Sequence, residues 1–348
     1  MTKDYRMESA EYNVLAFLKK YVLVLGGFLL VSACTPVVIH PGKPVQQAIL
    51  MDDFFVTQDG IKLGLHIWLP KTETIEAVII ALHGFNDYGN FFNEPALYFS
   101  DSGIASYAYD QRGFGGSPDP GLWSGVDAYA NDLASFTRLV KERHPDIPIF
   151  LLGASMGGAV VLVTESGNNS PLVTGVILVA PAVWGRETMP WYQKLLLTVM
   201  SHSLPWMTLT GEGLEIKPSD NIEMLRALGR DSLVIKETRV DTIYGLVNLM
   251  DAALNRSRGF SAKTLLLYGE LDEIIPKQPT LKMIEELSAP PIQLHRVSLY
   301  SNGYHMLLRD LQAETVWRDI VAWIHDPDGS LPSGSDIYGK EWIHTFRE

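Results

Sequence analysis

The stretch IFLLGASMGG at residues 149–158 joins a run of apolar residues to a G-x-S-x-G turn centred on Ser155. An apolar run of this length is typical of a buried strand, and Gly157 to Glu165 favour a helix. A tight strand-to-helix turn needs small neighbouring residues, and it exposes the serine hydroxyl at the end of the strand. The stretch therefore predicts a nucleophilic serine at the edge of a sheet.

The composition is that of a large folded protein. The chain has 348 residues, of which 47% are hydrophobic, and this is enough to bury a substantial core. Its formal net charge is −12, and it contains no run rich in lysine and arginine. A polyanion would be repelled by such a chain, which argues against a nucleic-acid partner.

Residues 1–33 have the layout of a secretory signal peptide. Basic residues 19–20 precede an apolar stretch, Tyr21–Val31, that is too short to span a bilayer, and small residues come before Cys34. The layout resembles a bacterial lipoprotein signal, which implies that Cys34 becomes the lipid-modified first residue of a protein in the cell envelope. The residue after the cysteine is Thr35 rather than an aspartate. In the family that the signal resembles, this implies export to the outer membrane rather than retention in the inner membrane. The alternative is an N-terminal membrane anchor that is retained.

The rest of the chain divides into four parts. The proline-containing residues 34–50 are predicted to be a tether. We predict a core domain over 51–180 and 260–325, a cap over 181–259, and a C-terminal tail over 326–348 to which no role is assigned.

Apolar strand patterns alternate with helical patterns through the core. Asp59–Gly60 lies between two strand patterns and predicts a hairpin, so the sheet is expected to begin antiparallel. Continuous apolar strands separated by helices predict an α/β fold, with a mostly parallel, eight-stranded sheet covered on both faces. The predicted strands are 54–57, 62–69, 77–82, 104–109, 149–152, 176–180, 264–268 and 293–299. The predicted helices are 91–101, 126–143, 156–165, 279–287 and 313–324.

The interval from Pro181 to Gly259 contains no strand pattern, but it has apolar helical stretches around 192–200, 222–228 and 242–253. An insertion that follows the C-terminal end of a strand lies above the edge where active sites are built. We therefore expect a helical cap inserted after the sixth strand. The alternative is a set of additional core helices on the flank of the sheet.

A nucleophilic Ser155 needs a base, and the base needs an orienting acid. His305 lies in a turn between a strand and a helix, and it is the base we predict. Asp272 follows the strand 264–268 and is the predicted acid, with Glu270 in the same turn as the substitute. The order Ser, Asp, His along the chain suits a sheet with a central nucleophile.

The oxyanion of the reaction needs backbone donors. Phe85 follows an apolar strand, and Met156 follows the nucleophile, so their backbone N–H groups are the predicted oxyanion hole. Gly84 lets the first loop come close to the serine. His83 is interpreted as a structural loop residue.

Five motifs occur in the order seen in the α/β-hydrolase fold, and the chain most resembles the monoacylglycerol lipase and lysophospholipase branch. They are HGFND at 83–87, DQRGFGGS at 110–117, GASMGG at 153–158, YGELD at 268–272 and GYHML at 303–307. The resemblance implies a serine hydrolase that acts on monoacylglycerol or lysophospholipid esters without a cofactor, and we expect no metal site. It also implies structural roles for Asp110 and Arg112.

Alternatives to this reading remain open. An aminopeptidase or a small-ester carboxylesterase would use the same scaffold, and a peptidase would place acidic cap residues such as Glu212, Glu215 or Asp241 near the pocket. A third reading is a non-catalytic surface lipoprotein. Dehalogenase and epoxide hydrolase chemistry is disfavoured, because both need a carboxylate in place of Ser155. Apolar cap residues are candidates for either an acyl tunnel or ordinary core: Trp184, Trp191, Tyr192, Leu195, Leu196, Trp206 and Met207.

Overall fold

The computed structural model describes residues 34–72, 74–167, 169–211, 213, 215–258, 260–288 and 295–347. The predicted signal peptide, residues 1–33, lies outside the described residues. Among the described residues, no helix is both long and apolar enough to cross a bilayer.

Nine strands of the described chain form one sheet. They are β1 Ile49–Leu50, β2 Phe54–Val56, β3 Lys62–Trp68, β4 Ala77–Leu82, β5 Ile104–Tyr109, β6 Ile149–Ala154, β7 Gly175–Val179, β10 Thr264–Gly269 and β11 His295–Tyr300, and the short strands β8 and β9 belong to the cap region. Their order across the sheet is β1-β2-β3-β5-β4-β6-β7-β10-β11. The first four in this order pair antiparallel, and the others pair parallel. This is the expected α/β-hydrolase architecture, and the predicted hairpin is confirmed by the pairing of β2 with β3.

The strand count differs from the expected eight because of β1. This strand lies at the edge of the sheet and pairs with β2. It has two residues, Ile49 and Leu50, which are too few to show the alternating pattern of a strand in the sequence. The cap consequently follows the seventh strand rather than the sixth.

Helices cover both faces of the sheet. They are α1 Asn93–Ser100, α2 Val126–Arg143, α3 Met156–Glu165, α4 Trp191–Ser203, α5 Ile222–Arg230, α6 Val240–Ser257, α7 Lys277–Leu287, α8 Ala313–His325 and α9 Ser335–Arg347, and a short 3₁₀ turn, Gly89–Phe92, leads into α1. Alternate residues of the fully buried β4 point to opposite faces. Its even-numbered residues pack with α2, α3, α6 and α7, and its odd-numbered residues pack with α1 and α8. The sheet is thus the middle of three layers.

The cap region contains the three predicted helices, α4, α5 and α6, and also a small antiparallel sheet that the sequence did not indicate. The sheet consists of β8, Thr208–Thr210, and β9, Glu237–Arg239, with α5 between them along the chain. Of the three helices, α6 is also a core element, because it packs on α3 and contributes Val247 and Leu249 to the main core. The alternative of additional core helices therefore describes α6, whereas α4 lies on the outside, and all of its residues except Ser201 are exposed or partly exposed.

The predicted tether is not a free linker along its whole length. The Ile39 N–H donates to the Trp123 carbonyl, and the Val45 N–H donates to the Gln58 carbonyl. Val38 packs against the main core. Residues 36–48 thus lie along the domain, and Cys34, partly exposed and not in a disulfide, lies at their start.

The predicted tail is an ordered part of the domain. Helix α9 packs on β11, and Gly339 allows the approach, because a Cβ atom there would lie 2.2 Å from the Val297 carbonyl oxygen. On the same helix, the Trp342 ring stacks on Tyr268 with the centroids 5.5 Å apart.

Candidate active site

Ser155 lies at the sharp turn between β6 and α3. Its backbone φ is +50° and its ψ is −116°, a strained conformation for a residue with a side chain. The flanking glycines make the turn possible: a Cβ atom at Gly157 would lie 2.3 Å from the Leu82 carbonyl oxygen, and one at Gly153 would lie 2.5 Å from the carbonyl oxygen of Gly157. The small residues noted in the sequence are therefore required by close backbone contacts.

Asp272 and His305 form a buried pair. The His305 Nδ1 atom lies 2.8 Å from Asp272 Oδ2, and the exposed fraction of the two side chains is 7% and 0% respectively. The other carboxylate oxygen, Oδ1, accepts hydrogen bonds from the Ile274 and Ile275 amides at 2.8 and 2.9 Å. With Nδ1–H donating to the carboxylate, the imidazole has its other nitrogen, Nε2, available as a base.

The two turns that carry this pair are in direct contact. A Cβ atom at Gly269 would lie 2.5 Å from the Gly303 backbone, and the Leu271 N–H donates to the Gly303 carbonyl. Glu270, the substitute acid, does not take the position beside the histidine. It is about 41% exposed and lies 3.5 Å from Lys277 Nζ.

Ser155 and His305 line one cavity of about 340 Å³. The structure therefore brings together all three residues of the predicted triad: two of them line the cavity, and Asp272 lies directly behind the histidine. A nucleophile and a general base have to share such a cavity, with the orienting acid behind the base. Their catalytic roles stay predictions, which the experiments below address.

The loop that carries Phe85 is held against the serine. A Cβ atom at Gly84 would lie 3.3 Å from Ser155 Cβ, so glycine allows an approach that any side chain would make tight. His83 is fully buried behind the loop, where its Nδ1 donates to the Gly84 carbonyl and its Nε2 accepts from the Gln111 amide. Burial lowers the pKa of His83, and both ring nitrogens are engaged, which agrees with a structural role.

The predicted oxyanion donors flank the nucleophile. Phe85 lines the cavity, and Met156 is the first residue of α3, where backbone N–H groups have no partner within the helix. Both donors are backbone groups, so their positions depend on the loop and the helix rather than on side-chain rotamers.

The cap also holds the loop through three hydrogen bonds. The Tyr88 hydroxyl donates to Asp231 at 2.7 Å, the Asn86 side-chain amide donates to the Thr238 hydroxyl at 2.6 Å, and the Ile235 N–H donates to the Asn86 carbonyl. Burial, together with the nearby Asp231 carboxylate, raises the pKa of Tyr88 to about 12, so the phenol stays a donor at neutral pH. The loop is therefore held by His83 on the side of the core and by the hydrogen bonds to the cap on the opposite side.

Asp110 and Arg112 have the structural roles that the resemblance implied. The Asp110 carboxylate accepts from the Gly89 and Gly116 amides. Arg112 donates two hydrogen bonds to Asp59 and two to Asp132. The Arg112 guanidinium holds the pKa of Asp59 well below its usual range, whereas burial raises the pKa of Asp132 to about 6.

The cavity is lined mainly by apolar side chains. The apolar members are Phe85, Phe91, Ala154, Val179, Ala182, Trp184, Leu246, Met250, Ile274, Ile275, Met306, Leu307 and Leu308. Its carboxylate, Asp87, forms an ion pair with Arg309, which also lines the cavity. Sequence reasoning missed this pair because its members are 222 positions apart, although Asp87 belongs to the HGFND motif and Arg309 follows the GYHML motif by two residues.

The structure corrects the expectation for the apolar cap residues. Of the seven candidates for an acyl tunnel, Trp184 lines the cavity. Five of the others are neither tunnel nor core, because more than half of each is exposed: Trp191, Tyr192, Leu195, Leu196 and Trp206.

Two of the acidic cap residues named for a peptidase, Glu215 and Asp241, do not line the cavity. Glu215 is exposed, and Asp241 forms an ion pair with Arg239 at the start of α6. Glu212 lies outside the described residues.

Comparisons with known proteins find related sequences along most of the chain. A family model described as "Serine aminopeptidase, S33" matches residues 73–312. The chain is 22% identical over 283 residues to a monoacylglycerol lipase of Mycolicibacterium smegmatis, covering 78% of this chain and 95% of that one. It is 25% identical over 276 residues to a monoglyceride lipase of Mus musculus, covering 77% and 88% respectively.

Solved structures show the same fold. A soluble variant of the monoglyceride lipase from Saccharomyces cerevisiae, in complex with a substrate analogue, superposes with a TM-score of 0.64. The identity is 22%, and the match covers 84% of this chain and 98% of that chain.

Proposed function

Because the chain belongs to the serine aminopeptidase S33 family and is a serine ester hydrolase of the monoacylglycerol lipase-like type, we propose that it cleaves monoacylglycerol or lysophospholipid esters while tethered to a membrane. The observation that carries the substrate class is the apolar cavity beside Ser155 and His305. Transfer of an acyl chain from water into such a cavity is favourable, by roughly 25 cal/mol for each Å² of apolar surface that is buried.

The proposed reaction uses an acyl-enzyme. His305 Nε2 takes the proton of the Ser155 hydroxyl, and Oγ attacks the ester carbonyl carbon. The backbone N–H groups of Phe85 and Met156 stabilise the oxyanion. The C–O bond to the alcohol breaks as His305 protonates the leaving oxygen. Water, deprotonated by the same imidazole, then hydrolyses the acyl-enzyme and releases the fatty acid.

Asp272 supports both halves of this cycle. Its carboxylate keeps the Nδ1 proton in place and stabilises the imidazolium that forms at each proton transfer. The two backbone donors on Oδ1 hold the carboxylate in position.

The charge of the cavity favours an ester over a peptide with a free amino terminus. An aminopeptidase needs an acidic group for the substrate's ammonium, and the carboxylate that lines this cavity is already neutralised by Arg309. The family description leaves aminopeptidase activity as the second candidate.

We further propose that a lipid on Cys34 holds the protein at the cell envelope, with the outer membrane favoured. The sequence before Cys34, an apolar stretch followed by small residues, supports this attachment. One lipid chain binds membranes only marginally, so additional chains or a second contact are expected.

The test offers the purified protein long-chain monoacylglycerols, lysophospholipids, short aryl esters and aminoacyl anilides, with Ser155→Ala as the control. We expect ester hydrolysis that is greatest on the long-chain lipids and absent in the variant. Anilide hydrolysis without ester hydrolysis would establish the peptidase instead. Equal activity in Ser155→Ala would exclude the serine mechanism.

A further inference from the structure

His305 is carried by a loop without regular secondary structure. Residues 301–312 lie between the end of β11 and the start of α8, and none of them belongs to a helix or a strand. A displacement of about 1 Å at a catalytic group can cost roughly 100-fold in rate. The contacts that hold these residues, which we call the base loop, therefore bear directly on catalysis.

A segment of the cap lies along the base loop and bonds to its backbone. The Met306 N–H, next to the base, donates to the Pro218 carbonyl at 3.0 Å. The Leu311 N–H donates to Asp220 Oδ1 at 2.8 Å. Two backbone donors of the base loop are thus satisfied by the cap rather than by the sheet.

Asp310 forms a buried link between this segment and the base loop. Its Oδ1 accepts from the Ser219 hydroxyl at 2.6 Å, and its Oδ2 accepts from the Tyr304 N–H at 2.8 Å. Both Ser219 and Asp310 are buried. Burial raises the pKa of Asp310, and the two hydrogen bonds oppose that rise because they favour the charged form. The carboxylate therefore joins the cap to the residue that directly precedes His305.

Lys217 ties the same segment to both neighbours of the catalytic pair. Its N–H donates to Glu273 Oε2 at 2.7 Å, and its Nζ donates to the Tyr304 hydroxyl at 3.1 Å. The Nζ atom lies 4.5 Å from the centroid of the Tyr304 ring. Glu273 follows Asp272 along the chain, and Tyr304 precedes His305. One cap residue thus contacts the turn of the acid and the loop of the base.

The other end of the segment reaches the loop that carries Phe85. Beyond α5, the hydrogen bonds of residues 231, 235 and 238 hold Asn86 and Tyr88, as described above. None of the residues of α5 itself is fully buried. The attachment of residues 217–238, which we call the cap brace, therefore depends on the bonds at its two ends.

We propose that the cap brace fixes the base loop and the oxyanion loop relative to each other, and that Asp310 is the positioning residue through which it holds His305. The inference rests on the proposed function, because it takes His305 as the base and the Phe85 N–H as an oxyanion donor. It adds that both groups depend on one segment of the cap. The cap then contributes to turnover as well as to the shape of the cavity.

The test compares Ser219→Ala with Ser170→Ala in the full chain. Each variant removes a serine hydroxyl that donates to a carboxylate, that of Asp310 in the first and that of Glu165, at the C-terminal end of α3, in the second. With a soluble aryl ester we expect kcat to fall roughly 10-fold in Ser219→Ala, with unchanged KM, and neither constant to change in Ser170→Ala. An unchanged kcat in Ser219→Ala, or equal losses in both variants, would overturn the proposal.

Two variants of Asp310 separate hydrogen bonding from folding and from charge. Asp310→Asn keeps an acceptor for the Tyr304 N–H and gains a donor toward the Ser219 hydroxyl, whereas Asp310→Ala removes both contacts. We expect Asp310→Asn to retain most of the kcat that Asp310→Ala loses. Equal losses would show that the charge matters rather than the contacts, and would overturn the positioning role.

A double-mutant cycle tests whether the two ends of the cap brace act together. Thr238→Val removes the hydroxyl that accepts from the Asn86 side chain. If one segment holds both loops, the second substitution costs little once the first is made, so the loss of kcat in Ser219→Ala/Thr238→Val should be smaller than the product of the single losses. A loss equal to that product would refute the brace.

Proton NMR reads the position of the base without any turnover. The Nδ1 proton between His305 and Asp272 is expected to give a resonance far downfield of the backbone amides. We expect this resonance to shift or broaden in Ser219→Ala and to stay in place in Ser170→Ala. An unmoved resonance in Ser219→Ala would overturn the proposal. Because the signal needs no substrate, failure of the proposed reaction is distinguishable from failure of the brace.

Discussion

Asp272 holds His305 through one carboxylate oxygen, at 2.8 Å, and is itself held through the other by the amides of Ile274 and Ile275. The acid is thus fixed by backbone groups of its own turn. Glu270, another carboxylate of the same turn, has different surroundings, because it contacts Lys277 at the surface and not His305.

The first prediction uses this contrast between the two acids. Replacing Asp272 with Asn removes the negative charge and the acceptor that fix the imidazole, and we expect kcat to fall on the order of 10⁴-fold with little change in KM. Glu270→Gln is the matched control and should stay close to the unsubstituted protein. Steady-state hydrolysis of a soluble aryl ester measures both, and similar losses in the two variants would contradict the assignment.

The second prediction concerns support of the acid turn by Tyr268, a residue of β10. The Tyr268 hydroxyl donates to the Ile275 carbonyl at 2.7 Å, and the Ile275 amide holds Asp272. Tyr268→Phe keeps the ring under Trp342 but removes this bond, which contributes about 1 kcal/mol net. We expect lower kcat, unchanged KM and a shifted acidic limb of the pH–rate profile. Tyr338→Phe serves as the control, and an unaltered profile in Tyr268→Phe would remove Tyr268 from this role.

The third prediction tests the approach of the oxyanion loop to the serine. A methyl group at Gly84 would lie 3.3 Å from Ser155 Cβ and 3.9 Å from Oγ, so Gly84→Ala should displace the loop. We expect kcat to fall by roughly 10- to 100-fold without loss of folding. Gly229→Ala, where the added methyl group meets no atom within 4 Å, is the control. Full activity in Gly84→Ala would show that the close approach is not needed.

The fourth prediction is a pH dependence of stability. Burial raises the pKa of Glu165 to about 7, and its Oε2 accepts a hydrogen bond from the Ser170 hydroxyl. The folded state therefore holds this proton more tightly than the unfolded state does, so its contribution to the free energy of unfolding falls as pH rises from about 4.5 to 7. Glu165→Gln should raise the unfolding temperature at pH 8 more than at pH 5. An equal effect at both values would argue that Glu165 is not protonated in the fold.

Much of the core was predictable because its elements carry strong periodic patterns. Helices α2 and α3 have the predicted bounds, 126–143 and 156–165, and the alternation of buried strands with helices fixed the three-layer arrangement. The positions of Ser155, Asp272 and His305 followed from the same logic, since parallel strands end at one edge and the loops beyond them meet there.

Other features depend on tertiary contacts that no local pattern reports. Helix α9 contains Gly339, which disfavours a helix by about 1 kcal/mol but is needed for the close approach to β11. Strands β8 and β9 have three residues each and mostly exposed or partly exposed side chains. The apolar residues of α4 resemble a core stripe in sequence, and only the packing of α6 shows that they face outward.

The central claim is that Ser155 forms the acyl-enzyme. Mass spectrometry after brief reaction with a slowly hydrolysed long-chain aryl ester measures this directly. We predict one acyl adduct per chain, located on the peptide that contains Ser155, and none in Ser155→Ala. An adduct on another residue, or undiminished turnover in Ser155→Ala, would contradict the mechanism.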